Sequence, residues 1–573
     1  MSRAAGVLSH LQQRLASGHI DRREAVRWAL GAGLGLSAAA SLLAAEGVPA
    51  AVRSTRSSKP IGRRIDWLIV GGGTAGCVLA NRLSTDSHLN VAVLEAGSWP
   101  TDVAVDAPLA WPGLQGGPND HAYRTVPQPG LDGRPLPCPR GKGFGGSSLI
   151  NAMGHQRGDA RAYDRWEALG ATGWNHAALL PMHRRSETYS GGANAWRGGE
   201  GPLDVLAVHA ASASPLARDF LGAARARGHA WSDDLNGAAA GEACWNQFTI
   251  GAGRVREHAA RAYLQPIADR TNLFLLGDAP IQTLLFEGER CVGVRYLHAG
   301  EITELRAERG VILATGAIDT PKLLMLSGIG PAAHLRQFGI EVRVDHAEVG
   351  ANLHDHPLVG GVAFEARRAV PTSAYNHGEG MLFTTLGASG VPNVLLMAVT
   401  VPFVIPSVGA APQNCFTIVP CLMQPRSRGT VRLASAAAAL APVIDPRTYE
   451  ETADLDTLVE AVRLARDLGR AKEMSDWVAR EVYPGPGTDD ASALRDFVKR
   501  GTSPFYHPVG TARMGADAGA PVAPDLSVKG VTGLYVADAS VMPQIVPAMT
   551  NAAVIAIAER AADLIAGRRQ IPT

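Results

Sequence analysis

The residues best equipped for chemistry lie near opposite ends of this 573-residue chain. Close to the start, GGGTAG places Gly71, Gly73 and Gly76 in G-x-G-x-x-G spacing, directly after the apolar run IDWLIV (65–70). Each glycine has its own reason: Gly71 permits a tight turn, Gly73 lets backbone approach a pyrophosphate, and Gly76 lets the next helix pack closely. Thr74 and Ala75 stand where the N–H groups of a helix N-terminus face phosphate oxygens. Glu95 closes the next apolar run, NVAVLEAG, about 20 residues on, where a carboxylate can accept from ribose hydroxyls. Far along the chain, His507 sits in YHPVGTARMG. An imidazole with an ordinary pKa near 6.5 can be neutral and basic at working pH, and so can take a proton.

The elements that must position these groups are legible. Strand, glycine loop, the helix continued by CVLANRLS, second strand and acid follow in the order of a dinucleotide-binding unit. Glycine spacing does not choose between a nicotinamide and a flavin dinucleotide.

Longer segments make that choice. PRGKGFGGSSLINAM (139–153) and GAIDTPKLLMLSGIG (316–330) resemble the two signature segments of the glucose-methanol-choline (GMC) oxidoreductases, a family of FAD enzymes. VGANLHDHP, YHPVGTARMG, LYVADASVMP and NAAVIAIAERAADLI are similar to further segments of that family, in its order, so the resemblance runs from residue 65 to 570. It implies a mixed α/β (α+β) fold in which a Rossmann-type FAD-binding domain is interleaved with an antiparallel-sheet substrate-binding domain. The expected FAD-binding segments are 62–160, 205–350 and 510–573, and the substrate-binding segments 161–204 and 351–509.

Site residues follow position by position. Gly145, Gly146, Ser147 and Ser148 match the loop along the cofactor, and Asn151, Ala152, Met153 and Gly154 the segment beside the isoalloxazine. Ile281 stands where backbone meets adenine, and Asp538 and Ala539 at the ribityl-phosphate portion. Ile150 occupies the place where some members attach FAD through a histidine, which implies non-covalent FAD.

Oxidising an alcohol requires a base for the hydroxyl proton and a group to steady the developing alkoxide, while hydride passes to flavin N5. The resemblance makes His507 the base. The second group is a His or Asn in most members, and here that position is Met549, which donates no hydrogen bond. Asn551 is the expected substitute, with His354, His356 or an unaided base as alternatives. The expected activity is an alcohol dehydrogenase passing electrons to a quinone or cytochrome, with oxygen as the other acceptor. A hydroxynitrile-lyase-like flavoprotein and a noncatalytic electron carrier are the competing readings, by fold analogy.

Lys plus Arg (54) and Asp plus Glu (53) balance to a formal charge of +1, which gives no electrostatic case for a nucleic-acid partner. Arg22-Arg23 precedes an Ala/Gly/Leu run from Trp28 to Ala45 and the small residues Val48-Pro49-Ala50, which resembles a twin-arginine export signal over 1–50. Periplasmic export is therefore expected, with cytoplasmic residence if that reading fails. The run is too weakly apolar for a stable membrane span. Six cysteines form no C-x-x-C pair, and Cys415 with Cys421 is a candidate disulfide only in an oxidising compartment. Trp166 and Trp174 read as core aromatics, and no metal is expected at His354 and His356.

Overall fold

The computed structural model describes residues 64–238 and 242–567, so the expected export signal at 1–50 lies outside the described residues. Two sheets dominate. The first has seven strands, and its centre is Ile65–Val70, flanked in parallel by Val91–Leu94 and by the long strand Glu301–Leu313. Leu273–Leu276 and Leu534–Val536 extend it in parallel. These strands are near-continuous apolar runs, as burial on both faces of a parallel sheet requires. Glu301–Leu313 changes character midway: its polar first half, EITELRAE, forms an antiparallel ribbon with Arg290–His298 and Ile281–Glu287, and GVIL enters the parallel core.

The glycine loop leads into the helix Thr74–Leu83, which packs against the C-terminal helix Thr550–Ile565. A fully buried carboxylate fixes this contact. Glu559 accepts from Arg82 Nε and Nη2, both at 2.8 Å, from Arg185 Nε at 2.7 Å and from the Tyr263 hydroxyl at 3.0 Å. Removing one partner of such a buried pair costs about 3–5 kcal/mol, because the remaining charge is stranded.

The second sheet has nine strands, antiparallel except where Trp231–Ser232 meets Ala243–Trp245. Its central strands alternate strictly in the faces they present. Leu382, Leu396, Phe416 and Ile418 face the helices Pro215–Ala226, Thr452–Gly469 and Ala491–Gly501. Met381, Phe383, Leu395, Val399, Val419 and Cys421 form a separate apolar cluster on the other face.

The sheets redraw two expected boundaries. Pro215–Ala226, Trp231–Ser232 and Ala243–Trp245, expected in the FAD-binding segment 205–350, belong to the second sheet and its helical layer, because Leu216, Phe220 and Leu221 bury there. Conversely, the helices Ala160–Ala168 and His176–Ser186, expected in the substrate segment 161–204, join the core of the first sheet through Tyr163, Trp166 and Leu179. Trp166 and Trp174 are indeed core aromatics, fully buried, with indole N–H groups donating to the carbonyls of Gln544 (2.7 Å) and Pro524 (2.8 Å). Cys415 and Cys421 are free. They lie six residues apart on one extended strand, about 20 Å by strand rise, beyond the reach of a disulfide.

Candidate active site

A cavity of about 570 Å³ is lined by residues of both sheets, from the glycine loop to His507. At its phosphate end the three glycines separate by role. Gly71 has φ +99°, and a Cβ there would lie 2.6 Å from the Ala314 carbonyl oxygen; a Cβ on Gly76 would lie 1.9 Å from the Gly71 carbonyl oxygen. These two are required by packing. A Cβ on Gly73 would meet nothing closer than 3.8 Å. The protein therefore leaves space at Gly73 that it fills at Gly71 and Gly76, as a pyrophosphate lying on that backbone demands.

Glu95 is buried and lines the cavity. Its carboxylate accepts from the backbone N–H of Gly72 (2.7 Å), Gly97 (3.0 Å) and Gly143 (2.9 Å), so it also ties the 139–146 loop to the Rossmann strand. Gly146, at φ +52°, is pressed against Gly73, where a Cβ would approach its Cα to 2.6 Å. Ser147, Asn151, Ala152, Met153, Gly154, Ile281, Asp538 and Ala539 also line the cavity, together with Thr74 and Ala75. Gly76, Gly145 and Ser148 do not; they shape the loops behind it, Ser148 donating to the Gly145 carbonyl at 2.6 Å and accepting from Ala259 N–H at 2.9 Å. Asp538 is spent on the scaffold, accepting from Gly316 N–H (2.8 Å), Thr320 Oγ1 (2.6 Å) and Ser540 Oγ (2.6 Å). Arg256, fully buried, donates to Asn151 Oδ1 at 2.9 Å and holds the turn that puts Met153 at φ +61°. Left-handed backbone at a non-glycine residue persists only where the surroundings enforce it.

The far end of the cavity holds His507, the expected base. Tyr506, just before it, is also left-handed at φ +66°, with its carbonyl accepting from Arg140. The His507 backbone N–H donates to Asp355 Oδ1 at 2.8 Å, so the kink is held from both sides. Its ring packs on Phe505 at 4.6 Å and meets His356 edge-on, Nδ1 to Nδ1 at 3.0 Å. Burial, and then the neighbouring His356 and Arg140, hold the His507 pKa well below the ordinary histidine value, so the imidazole is neutral.

A bond between two ring nitrogens needs one proton. With both rings neutral, either His356 or His507 supplies it from Nδ1. Where His507 is the donor, its Nε2 is unprotonated. The lone pair at His507 Nε2 is the one left for the cavity that His507 lines.

The residues weighed as partners for the base fall in different places. Asn551 lines the cavity, and its side-chain oxygen accepts from Thr74 Oγ1 at 3.1 Å, which ties it to the N-terminus of the cofactor helix. His354 is buried with both nitrogens in use: Nδ1 lies 2.6 Å from the Asn352 carbonyl, and Nε2 accepts from Ile545 N–H at 2.9 Å. His356 touches His507 itself and does not line the cavity. Met549 does line it, packed with the apolar cluster of the second sheet. Two contributors escaped the sequence reading, Arg140 within PRGKG and Phe505 before the decapeptide, and no residue spacing distinguishes either from a loop residue.

Family models described as GMC oxidoreductase match residues 65–358 and 425–558. Choline oxidase of Arthrobacter globiformis is 38% identical over 530 residues, covering 88% of this chain and 95% of the relative. An alcohol dehydrogenase (acceptor) of Pseudomonas putida is 35% identical over 533 residues, covering 87% and 95%. Among solved structures, pyridoxine 4-oxidase from Mesorbium loti superposes with a TM-score of 0.84 at 34% identity, covering 88% of this chain and all of the other.

Proposed function

This chain belongs to the GMC oxidoreductase family and is an FAD-dependent alcohol oxidoreductase, and from that premise we propose that His507 Nε2 takes the proton of the alcohol hydroxyl. The observation that carries this is the 3.0 Å Nδ1-to-Nδ1 contact with His356, which presents a neutral His507 with its other nitrogen free at the cavity wall. When bound, FAD supplies the hydride acceptor, N5 of its ring. The residues do the rest. Phe505 and His356 fix the orientation of the imidazole, and Asp355 and Arg140 fix the backbone beneath it. Burial is the main cause of the neutral base, and the positive field of Arg140 adds to it while favouring the alkoxide.

FAD binding at the phosphate end rests on the space kept open at Gly73, the carboxylate of Glu95 and the N–H groups opening Thr74–Leu83. We read the attachment as non-covalent because Ile150, in the cavity wall, has no atom that can form the linkage. Acid or heat precipitation then leaves yellow flavin in the supernatant; flavin retained by the pellet sinks that reading. Export by the segment 1–50 is part of the same proposal, and fractionation of expressing cells tests it.

The named relatives are oxidases and dehydrogenases, which leaves the lyase reading without support. Anaerobic mixing with alcohols decides the activity. Bleaching of the flavin absorbance is expected, and its absence across short, long and aromatic alcohols refutes alcohol oxidation. Readmitting oxygen, a quinone or a dye to the bleached enzyme then identifies the acceptor.

A further inference from the structure

We propose that the alcohol taken at the His507 site is uncharged and has an apolar body, and that the site rejects quaternary-ammonium and polyhydroxylated alcohols; this rests on the alcohol-oxidation reading and names its substrate class. The wall beyond the base comes from the second sheet. Leu358, Met397, Val399, Val419, Phe403 and Phe505 all line the cavity and all belong to one apolar cluster. Met549 joins the same cluster, so the position where most of the family carries a polar group extends the apolar surface.

The acids in the cavity wall are committed at the cofactor end. Glu95 is held by three backbone N–H groups, Asp538 by Gly316, Thr320 and Ser540, and Asp319 accepts from the Tyr123 hydroxyl at 2.9 Å. Asp355 sits behind the base, accepting its backbone N–H and lining a separate small crevice. Arg140, whose guanidinium donates to the Tyr506 carbonyl, places a positive charge beside His507. A cationic alcohol would leave water for a site with no free carboxylate and a like charge, and the faces of Phe403 and Phe505 offset only part of that desolvation. A polyol fares no better. Of the amides in the cavity wall, Asn246 and Asn376 already donate to the carbonyls of Gly378 (2.8 Å) and Ala152. Hydroxyls buried without partners weaken binding, whereas each buried methylene strengthens it by roughly fourfold.

The test compares choline with 3,3-dimethylbutan-1-ol, its uncharged isostere, in anaerobic flavin reduction by the holoenzyme, alongside the unbranched primary alcohols from ethanol to octanol and sorbitol. Expected are kcat/KM values rising about two- to fourfold per methylene until the cavity is filled, and the isostere exceeding choline by at least 100-fold. Choline or sorbitol matching the apolar alcohols overturns the substrate class while leaving alcohol oxidation standing. No bleaching by any of them overturns the activity itself. Met397→Glu, close in length, is expected to shrink the preference for the isostere at least tenfold, with the bound-flavin spectrum reporting intact folding. An unchanged ratio in the folded variant removes Met397 from the substrate wall and counts against the proposal; if the variant fails to fold, the wild-type comparison still decides.

Discussion

His356 and His507 meet nitrogen to nitrogen, Nδ1 to Nδ1 at 3.0 Å, with their rings at 88°. Though 151 residues apart in the chain, they share one proton between these nitrogens, and when His507 supplies it the other nitrogen of His507 is unprotonated.

His507→Ala is expected to retain FAD and to slow anaerobic flavin reduction by about 100-fold or more, the scale of a lost positioned base. His356 is a positioning residue, so His356→Leu should slow reduction less, by roughly 10- to 100-fold, and His356→Gln, which restores an acceptor, should recover part of the loss. The pH profile separates positioning from mere packing. The rate follows neutral His507 and falls as pH drops through its depressed pKa; because His356 is bonded to its ring, removing His356 moves that acid limb. A limb that stays in place in His356→Leu refutes the coupling.

Asn551 is expected to serve the cofactor, because its amide oxygen is bonded to Thr74 at the start of the phosphate-facing helix. Asn551→Ala should weaken FAD binding about tenfold, on the scale of one hydrogen bond, with the reloaded enzyme reduced at nearly the wild-type rate. Met549→Asn should act oppositely, leaving FAD bound and altering the reduction rate by up to about tenfold, since it places a donor among apolar groups at the reacting end. Equal reduction rates in Met549→Asn and wild type would show that this side chain does not reach the reacting oxygen.

Gly73→Ala and Gly76→Ala test the cofactor cradle in the apo-protein. The Cβ at 73 has no protein neighbour within 3.8 Å, so thermal stability of the apo form should hold while FAD affinity falls tenfold or more. The Cβ at 76 would lie 1.9 Å from the Gly71 carbonyl oxygen, so that variant should lose apo stability as well. If FAD titrates into Gly73→Ala with wild-type affinity, the pyrophosphate does not lie there.

Stability should fall as pH drops from about 7 to 5, read by denaturant midpoints. Burial depresses His258 and His356 to about 3 and His377 to about 4, with His155, His183, His354 and His507 shifted the same way. A depressed group contributes stability above its unfolded pKa, near 6.5, and loses it as pH falls towards the folded value, because the unfolded chain binds the extra protons. Asp355 and Glu257, raised by burial to about 7, oppose this: their contribution is present at low pH and lost as pH rises through 7. The histidines outnumber them. A midpoint that rises between pH 7 and 5 contradicts this balance.

The family and the cofactor unit were legible in the sequence, because each depends on residue types at short, fixed separations. Gly71, Gly73 and Gly76 are specified by backbone geometry within a single turn, and IDWLIV with NVAVLEAG could only be buried parallel strands. His507 was marked by its own decapeptide. What escaped depends on contacts between segments far apart in the chain. Helical periodicity in Pro215–Ala226 shows an apolar face but not which sheet covers it, so the domain boundary near 205 was misplaced. The same limit hid the partner of Asn551: it lines the cavity with Met549, but on the first turn of the helix Thr550–Ile565 its amide oxygen meets Thr74. Only the tertiary structure joined His356 to His507, since nothing in one segment encodes the direction in which another presents a ring nitrogen.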